Sequence, residues 1–272
     1  MTVALQKIFF ASVGTLLAFE VFLRVSGWQA EFAESNLQAN LIRIATYEFE
    51  PVPESVILGS SLSGRLLPKF FSQPGQRFGN LALDGAGVPL GLELVAARKE
   101  KPARLFLEAN TLSFHSPGNE LILKEAMANP VFQLGRYLWF FRPGSRPSAL
   151  LYSRLKKVRE EKESGVTGKP PSGTAESAGE IPARELNLLR QFKEDGVEIF
   201  IVTIPSGRGE TEPPAAWQAM AAELGARWIR PRNHLREQGA DLRYTDGLHL
   251  DRSSAQKVVQ AMEAEISGWE PR

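Results

Sequence analysis

The chain has 272 residues, of which 43% are hydrophobic and 23% charged, an ordinary globular composition that excludes a disordered, collagen-like or coiled-coil protein. Lys plus Arg number 32 against 31 Asp plus Glu, a net charge of +1 at pH 7, which disfavours a protein held by nucleic-acid phosphates. With no cysteine there is no disulfide framework, thiolate zinc site, iron–sulfur cluster or cysteine nucleophile, and the three histidines (His115, His234, His249) are a short list for imidazole chemistry.

The run from Ile8 to Leu23 is apolar except for Glu20 and two small hydroxyl residues. At a rise of about 1.5 Å per residue it spans most of a hydrocarbon layer roughly 30 Å thick, and Val3 to Leu5 before it and Val25 to Trp28 after it complete the span. Trp28 suits the headgroup level. Glu20 and Arg24 stand one helical turn apart and can neutralise each other. A cleaved signal peptide needs small residues before the cut, where Trp28 is bulky, so residues 1–28 read as a retained membrane anchor rather than a signal or a buried helix. Lys7 before the run and Arg24 after it barely decide its orientation.

Residues 29–50 read as a stalk or linker, with helical spacing of Leu37, Leu41, Ile44 and Ala45 that Pro51 and Pro53 interrupt. Ser55–Gly59 has the profile of a buried parallel strand, and Arg77–Ala82 and Arg104–Glu108 of two more. Between them Pro89–Lys99 reads as a helix, with proline suited to the first turn. Tyr137–Phe141 is a dense aromatic cluster, by default core and alternatively a lid against a membrane or an acyl pocket. Residues 156–182 are charge-rich and then rich in Gly, Pro, Ser, Thr and Ala, the composition of a flexible insertion that cannot offset its ordering entropy by burial. Arg184–Glu194 (helix), Val197–Ile204 (strand, stopped by Pro205), Ala215–Leu224 (helix), Arg227–Ile229 (strand) and Ser253–Ile266 (helix) complete the chain. This alternation predicts an α/β fold with a mostly parallel sheet between helical layers, and functional residues just after the strands.

Four strand ends and loops carry residues that could do chemistry. Gly59-Ser60-Ser61-Leu62 offers a hydroxyl on a tight strand-to-helix turn, next to backbone N–H groups able to hold an oxyanion. Asn80-Leu-Ala-Leu-Asp-Gly85 ends in a glycine whose backbone can approach a ligand. Glu108-Ala109-Asn110 supplies an amide donor. Asp246-Gly-Leu-His249, before the last helix, pairs a carboxylate with an imidazole as a serine nucleophile requires. Taken singly, each is common loop chemistry, and Ser60 is a rival nucleophile if the turn shifts by one residue. His115 and His234 show no acidic partner at a comparable spacing and read as structural.

In this order the motifs resemble the SGNH (GDSL-type) hydrolase superfamily over roughly residues 55–267, excluding the insertion. The resemblance implies a three-layer α/β/α domain over residues 51–272 with a five-stranded, flavodoxin-like sheet. It implies Ser61 as nucleophile, His249 as base and Asp246 as its orienting acid, with Ser61, Gly85 and Asn110 forming the oxyanion hole and no metal or cofactor required. Two departures stand out. Ser60 replaces the Asp of the family's Gly-Asp-Ser-Leu, and Glu108 and Thr111 replace the flanking Gly and Asp of its Gly-x-Asn-Asp.

The anchor together with Leu-Gly-Ser-Ser, Asn-Leu-Ala and Leu-Glu-Ala-Asn looks like the membrane-anchored branch linked to O-acylation of surface polysaccharides. That branch implies an extracytoplasmic serine esterase or O-acyltransferase acting on an acylated glycan, often beside a membrane-bound O-acyltransferase. The alternative is a catalytically silent scaffold that binds polysaccharide or that membrane enzyme. A nucleotide-binding domain lacks its Gly-x-Gly-x-x-Gly or P-loop motif.

Overall fold

The computed structural model describes residues 3–72, 76–163, 181–208 and 214–267. In chain order the helices and strands are α1 (Val3–Ser26), α2 (Asn36–Phe49), β1 (Ser55–Gly59), β2 (Phe78–Ala82), α3 (Gly87–Ala97), β3 (Arg104–Glu108), α4 (Pro117–Ala128), α5 (Pro130–Leu134), α6 (Pro147–Glu163), α7 (Ala183–Glu194), β4 (Glu198–Val202), α8 (Ala215–Leu224), β5 (Arg227–Ile229), α9 (Pro231–Glu237) and α10 (Arg252–Ser267). They form two compact units. Residues 1–50 and 122–164 make the first, and residues 51–121 and 165–272 the second.

The second unit is built on a five-stranded, wholly parallel sheet in the order β2-β1-β3-β4-β5. Its three central strands, β1, β3 and β4, are short apolar runs because both faces are covered, so neither set of alternating side chains meets water, whereas the edge strands β2 and β5 are half-exposed. On one face Ile57, Phe106 and Phe200 pack with Val258, Val259 and Met262 of α10 and Leu235 of α9. Phe106 and Phe200 are register partners, and their rings stack at 4.8 Å. The other face is covered by α3 and α7, with α8 against α7. Gly91 of α3 lets that helix close on the sheet, because a Cβ there would stand 3.1 Å from a Leu58 methyl. The result is the expected three-layer α/β/α arrangement. With this strand order the chain reverses direction across the sheet between β1 and β3, and the crevice outside their carboxyl ends is where such sheets take ligands.

In the first unit, α1 is 24 residues long and apolar enough to cross a membrane, by length and composition. Leu23, Ala30, Ala149 and Leu150 form its core, with Phe19, Ile42, Trp139 and Phe140 packed against them. Trp139 and Phe140 of the aromatic cluster therefore do pack, whereas Tyr137 is exposed. Glu20 is buried. It accepts hydrogen bonds from the N–H groups of Trp139 (3.0 Å) and Phe140 (3.1 Å) and pairs with Arg24 at 2.7 Å, while Arg24 also donates to the Tyr137 carbonyl.

Element ends differ from the sequence expectation by a few residues where hydrogen bonding decides. The helix expected before Pro51 and Pro53 is α2, which starts at Asn36 because Ser35 caps it, accepting from the Gln38 N–H. Strand β4 ends at Val202; the Thr203 N–H still reaches the Ile229 carbonyl at the end of β5, but the Ile204 N–H bonds the Asn110 side chain in place of a strand. Residues 156–163 of the expected flexible insertion are instead the end of α6. Its residues 164–180 lie outside the described residues.

Phe106→Ala is expected to lower the unfolding free energy by about 3–5 kcal/mol, because the cavity would lie in the core between the rings of Phe78 and Phe200. Urea denaturation of the detergent-solubilised chain, followed by near-ultraviolet circular dichroism, measures it.

Candidate active site

Strand β1 ends at Gly59, and the chain turns at once into a short 3-10 turn at Ser63–Arg65. Asn80 of β2 pins this turn from the neighbouring strand, its amide donating to the carbonyls of Ser63 and Leu66, both at 2.8 Å. Ser61 stands on the turn, half-buried, and its Oγ lies 2.8 Å from Nε2 of His249, a residue 188 positions further along the chain.

His249 closes a compact loop. Tyr244 and Leu250 form an antiparallel bridge across it, and the Thr245 N–H donates to the His249 carbonyl at 2.8 Å. Inside the loop Asp246 uses both carboxylate oxygens: Oδ1 accepts from the N–H groups of Leu248 (3.0 Å) and His249 (2.8 Å), and Oδ2 stands 2.6 Å from the ring Nδ1. Burial by itself would push the Asp246 carboxyl up. The hydrogen bonds from the His249 backbone and ring and from Leu248, with the charge that the ring carries when protonated, outweigh it and hold the group down from 3.8 to about 2. An ionised carboxylate can only accept, so whenever the ring holds a single proton the geometry puts it on Nδ1. Nε2 is then left to accept from the Ser61 hydroxyl.

Gly85 lies in the turn after β2 at φ +76°, the left-handed region that glycine enters without steric penalty, and its carbonyl accepts from Asn119 at 2.8 Å. Asn110 follows β3 in a 3-10 turn. Its side chain is clamped to the backbone of Ile204, accepting from the N–H at 2.9 Å and donating to the carbonyl at 3.1 Å, and its NH2 group carries a second hydrogen. Ser61, Gly85, Asn110 and the clamp at Ile204 thus follow the carboxyl ends of β1, β2, β3 and β4. His115 does have acidic neighbours, Glu120 at 3.5 Å and, from the distant α7, Glu185 at 3.7 Å, while His234 meets Gln238 one turn along α9 at 2.8 Å. Among the described residues no group of three or more His, Asp or Glu side chains is placed to hold a metal ion.

No family model matches the chain, and neither does any curated protein. A solved structure from Streptococcus pneumonia, provisionally described as a platelet activating factor, is similar at 13% identity and a TM-score of 0.41, with 94% of this chain and 98% of that chain covered. A likeness that small says nothing of activity, and the chemistry is read from the site itself.

One residue of the site was not legible as such. Glu108, with no exposure to solvent, ends β3 beneath the Ser61 turn and accepts five hydrogen bonds. Oε1 takes the hydroxyls of Ser60 (2.7 Å) and Thr111 (3.0 Å). Oε2 takes the N–H groups of Ser60 (2.9 Å) and Ser63 (3.0 Å) and the Ser63 hydroxyl (2.5 Å). The approach is so close that a Cβ on Gly59 would sit 2.6 Å from both the Glu108 Cβ and the Ser63 Oγ. Ser60, Glu108 and Thr111, the three departures from the motifs that the sequence resembles, form one group in which Ser60 and Thr111 both donate to Glu108. Ser60 spends its hydroxyl on Glu108, which leaves Ser61 as the serine that meets the imidazole.

Two outcomes follow from this geometry. A carboxyl-carbon NMR titration is expected to place the Asp246 midpoint near 2 rather than 3.8. Because the folded value is the lower one, the stabilisation it contributes is fully present above the ordinary value and is lost as pH falls through the depressed one. Glu108→Gln sets an NH2 group against hydrogen-bond donors in a sealed site and is expected to cost about 1–3 kcal/mol in urea unfolding. Ser60→Ala, which removes a single donor, should cost about 1 kcal/mol; equal losses in the two variants would show that the carboxylate is not the organising group.

Proposed function

We propose that the chain is a membrane-anchored, SGNH-type serine acyl-ester enzyme, with Ser61 as nucleophile, His249 as general base and acid, and Asp246 as the group that orients the ring. The observation that carries this reading is the unbroken relay of short contacts, Ser61 Oγ to His249 Nε2 at 2.8 Å and His249 Nδ1 to Asp246 at 2.6 Å. A helix-approach loop with a merely packed histidine would have no reason to aim its free nitrogen at a strand-end serine.

In the proposed reaction the Ser61 oxygen attacks an acyl carbonyl while its proton passes to Nε2. The tetrahedral oxyanion is held by the N–H groups of Ser61 and Gly85 and by the second hydrogen of the Asn110 amide, which its clamp to Ile204 keeps from rotating. Collapse expels the alcohol, which takes its proton from the imidazolium, and leaves an acyl-serine. A second acceptor then loses its proton to Nε2, attacks the acyl carbon and regenerates the serine. Water as that acceptor gives an esterase and a sugar hydroxyl an O-acyltransferase. An acylated surface glycan on the extracytoplasmic side, with a membrane-bound O-acyltransferase as partner, is the reading that the motif resemblance and the anchor support together.

The test is labelling of the full chain in detergent with a fluorophosphonate probe. Labelling is expected for the wild type and abolished in Ser61→Ala and His249→Ala. Asn110→Ala should lower the turnover of p-nitrophenyl acetate by about 100- to 1,000-fold, the usual cost of an oxyanion donor. A folded wild type that takes no probe, with or without membranes from its host restored, would put the silent scaffold in place of the enzyme.

A further inference from the structure

Charge and exposed apolar surface are unevenly distributed in this chain, and both concentrate in one place. Residues 122–157 carry seven cationic side chains (Lys124, Arg136, Arg142, Arg146, Arg154, Lys156, Lys157) and a single acid, Glu125, although the whole chain has a net charge of only +1; Arg142 is buried against Glu50, and the other six are exposed or half-buried. The rest of the protein is therefore net acidic. Of the large apolar side chains that stand exposed among the described residues, all but Leu121 belong to the first unit. Many lie on α1, but Ile122, Val131, Leu134, Tyr137, Leu151 and Leu155 do not.

These side chains are ordered along their helices. Val131 and Leu134 are one turn apart on α5, with Tyr137 in the same phase just beyond it. Leu151 and Leu155 are one turn apart on α6, 62% and 63% exposed, with Arg154 and Lys157 exposed beside them. The opposite face of α6 supplies Ala149 and Leu150 to the core formed with Phe19 and Leu23 of α1, so the exposed leucines are not spare core residues. Both stripes are tied to the same end of α1. The turn at Trp139–Phe141, which follows α5, donates two backbone hydrogen bonds to Glu20, and α6 begins against Leu23. Glu20 and Arg24 are the first charges after the twelve uncharged positions Ile8–Phe19, and they lie toward the carboxyl end of the span, one to two turns before Trp28.

Exposed apolar stripes flanked by Lys and Arg are the surface that an anionic bilayer takes, the leucines entering the headgroup boundary and the cations meeting lipid phosphates. We propose that residues 122–157 form such a membrane-docking face, lying on an anionic lipid surface at the point where α1 emerges. The inference rests on the reading of α1 as a span and is independent of any catalysis. The cationic residues select this occupant over a second copy of the chain, whose corresponding face would carry the same positive charge and repel it.

The absence of cysteine makes the test direct. Single variants Leu134→Cys, Leu151→Cys and Leu155→Cys of the full chain, each carrying an environment-sensitive fluorophore, are reconstituted into nanodiscs of phosphatidylcholine alone or with phosphatidylglycerol. Gln256→Cys on α10 is the control for the second unit, and Val13→Cys reports insertion of α1 separately. The expected result is a blue shift at positions 134, 151 and 155 that grows with phosphatidylglycerol, shrinks at high salt and is absent at position 256. Replacing Arg146, Arg154 and Lys157 with Gln should weaken the shift, at about fivefold in lipid partition for each cation near the surface. Water-like emission at all three positions while Val13→Cys reads as buried would overturn the docking face and leave the anchor standing. A shift that ignores lipid charge but rises with the number of chains per disc would overturn it in favour of self-association. A Val13→Cys label in water would overturn the span on which the inference depends.

Discussion

Glu108 closes the central strand β3 as a carboxylate with no exposure to solvent, and the carboxyl edge of the sheet is arranged around the need to satisfy it. Burying such a group without partners would cost several kcal/mol, so the fold supplies five donors from two neighbouring segments. Four of them belong to Ser60 and Ser63, on either side of Ser61 and Leu62. A turn held on both flanks by one fixed anion has little freedom to rotate. The position of the Ser61 hydroxyl is thereby set by contacts that do not involve Ser61 itself.

The imidazole that faces this hydroxyl is held by the same kind of device on a smaller scale. Asp246 accepts two backbone N–H groups of its own loop as well as the ring, so one carboxylate fixes both the path of the chain at His249 and the tautomer of its side chain. Asp246 remains largely in contact with water, with 52% of its side chain exposed, and its low affinity for a proton comes from hydrogen bonds and not from burial. The two carboxylates divide the work. The sealed one shapes the Ser61 turn, and the open one shapes the His249 loop.

The first unit follows a different logic. Its buried acid Glu20 is neutralised by Arg24 and by two backbone donors of the Trp139–Phe141 turn, so a charge that would be costly in an apolar helix becomes the fastening between that helix and the segment that follows α5. Leu23 and Phe19 continue the same seam with Ala149 and Leu150. Residues more than a hundred positions apart are joined there, which is why an anchor-then-stalk reading of the first fifty residues could not anticipate the company they keep.

The sequence alone determined the strands, the parallel sheet and the identity of Ser61, Asp246 and His249 as the residues to watch. The strands are legible because doubly covered parallel strands must be short apolar runs, and Asp246 and His249 are legible because their interaction spans only three residues. Gly85 and Asn110 could be named only through their places after strands. That Asn110 is clamped by Ile204, that Glu185 reaches His115 and that residues 156–163 continue α6 were decided by partners far along the chain or by packing. Glu108 is the clearest instance. Read locally it is a departure from a motif, as Ser60 is, and 48 residues separate the two. Only the pairing of β1 with β3 sets them side by side and turns two departures into one hydrogen-bonded unit, because a buried anion is tolerable only where the fold brings donors to it from both strands.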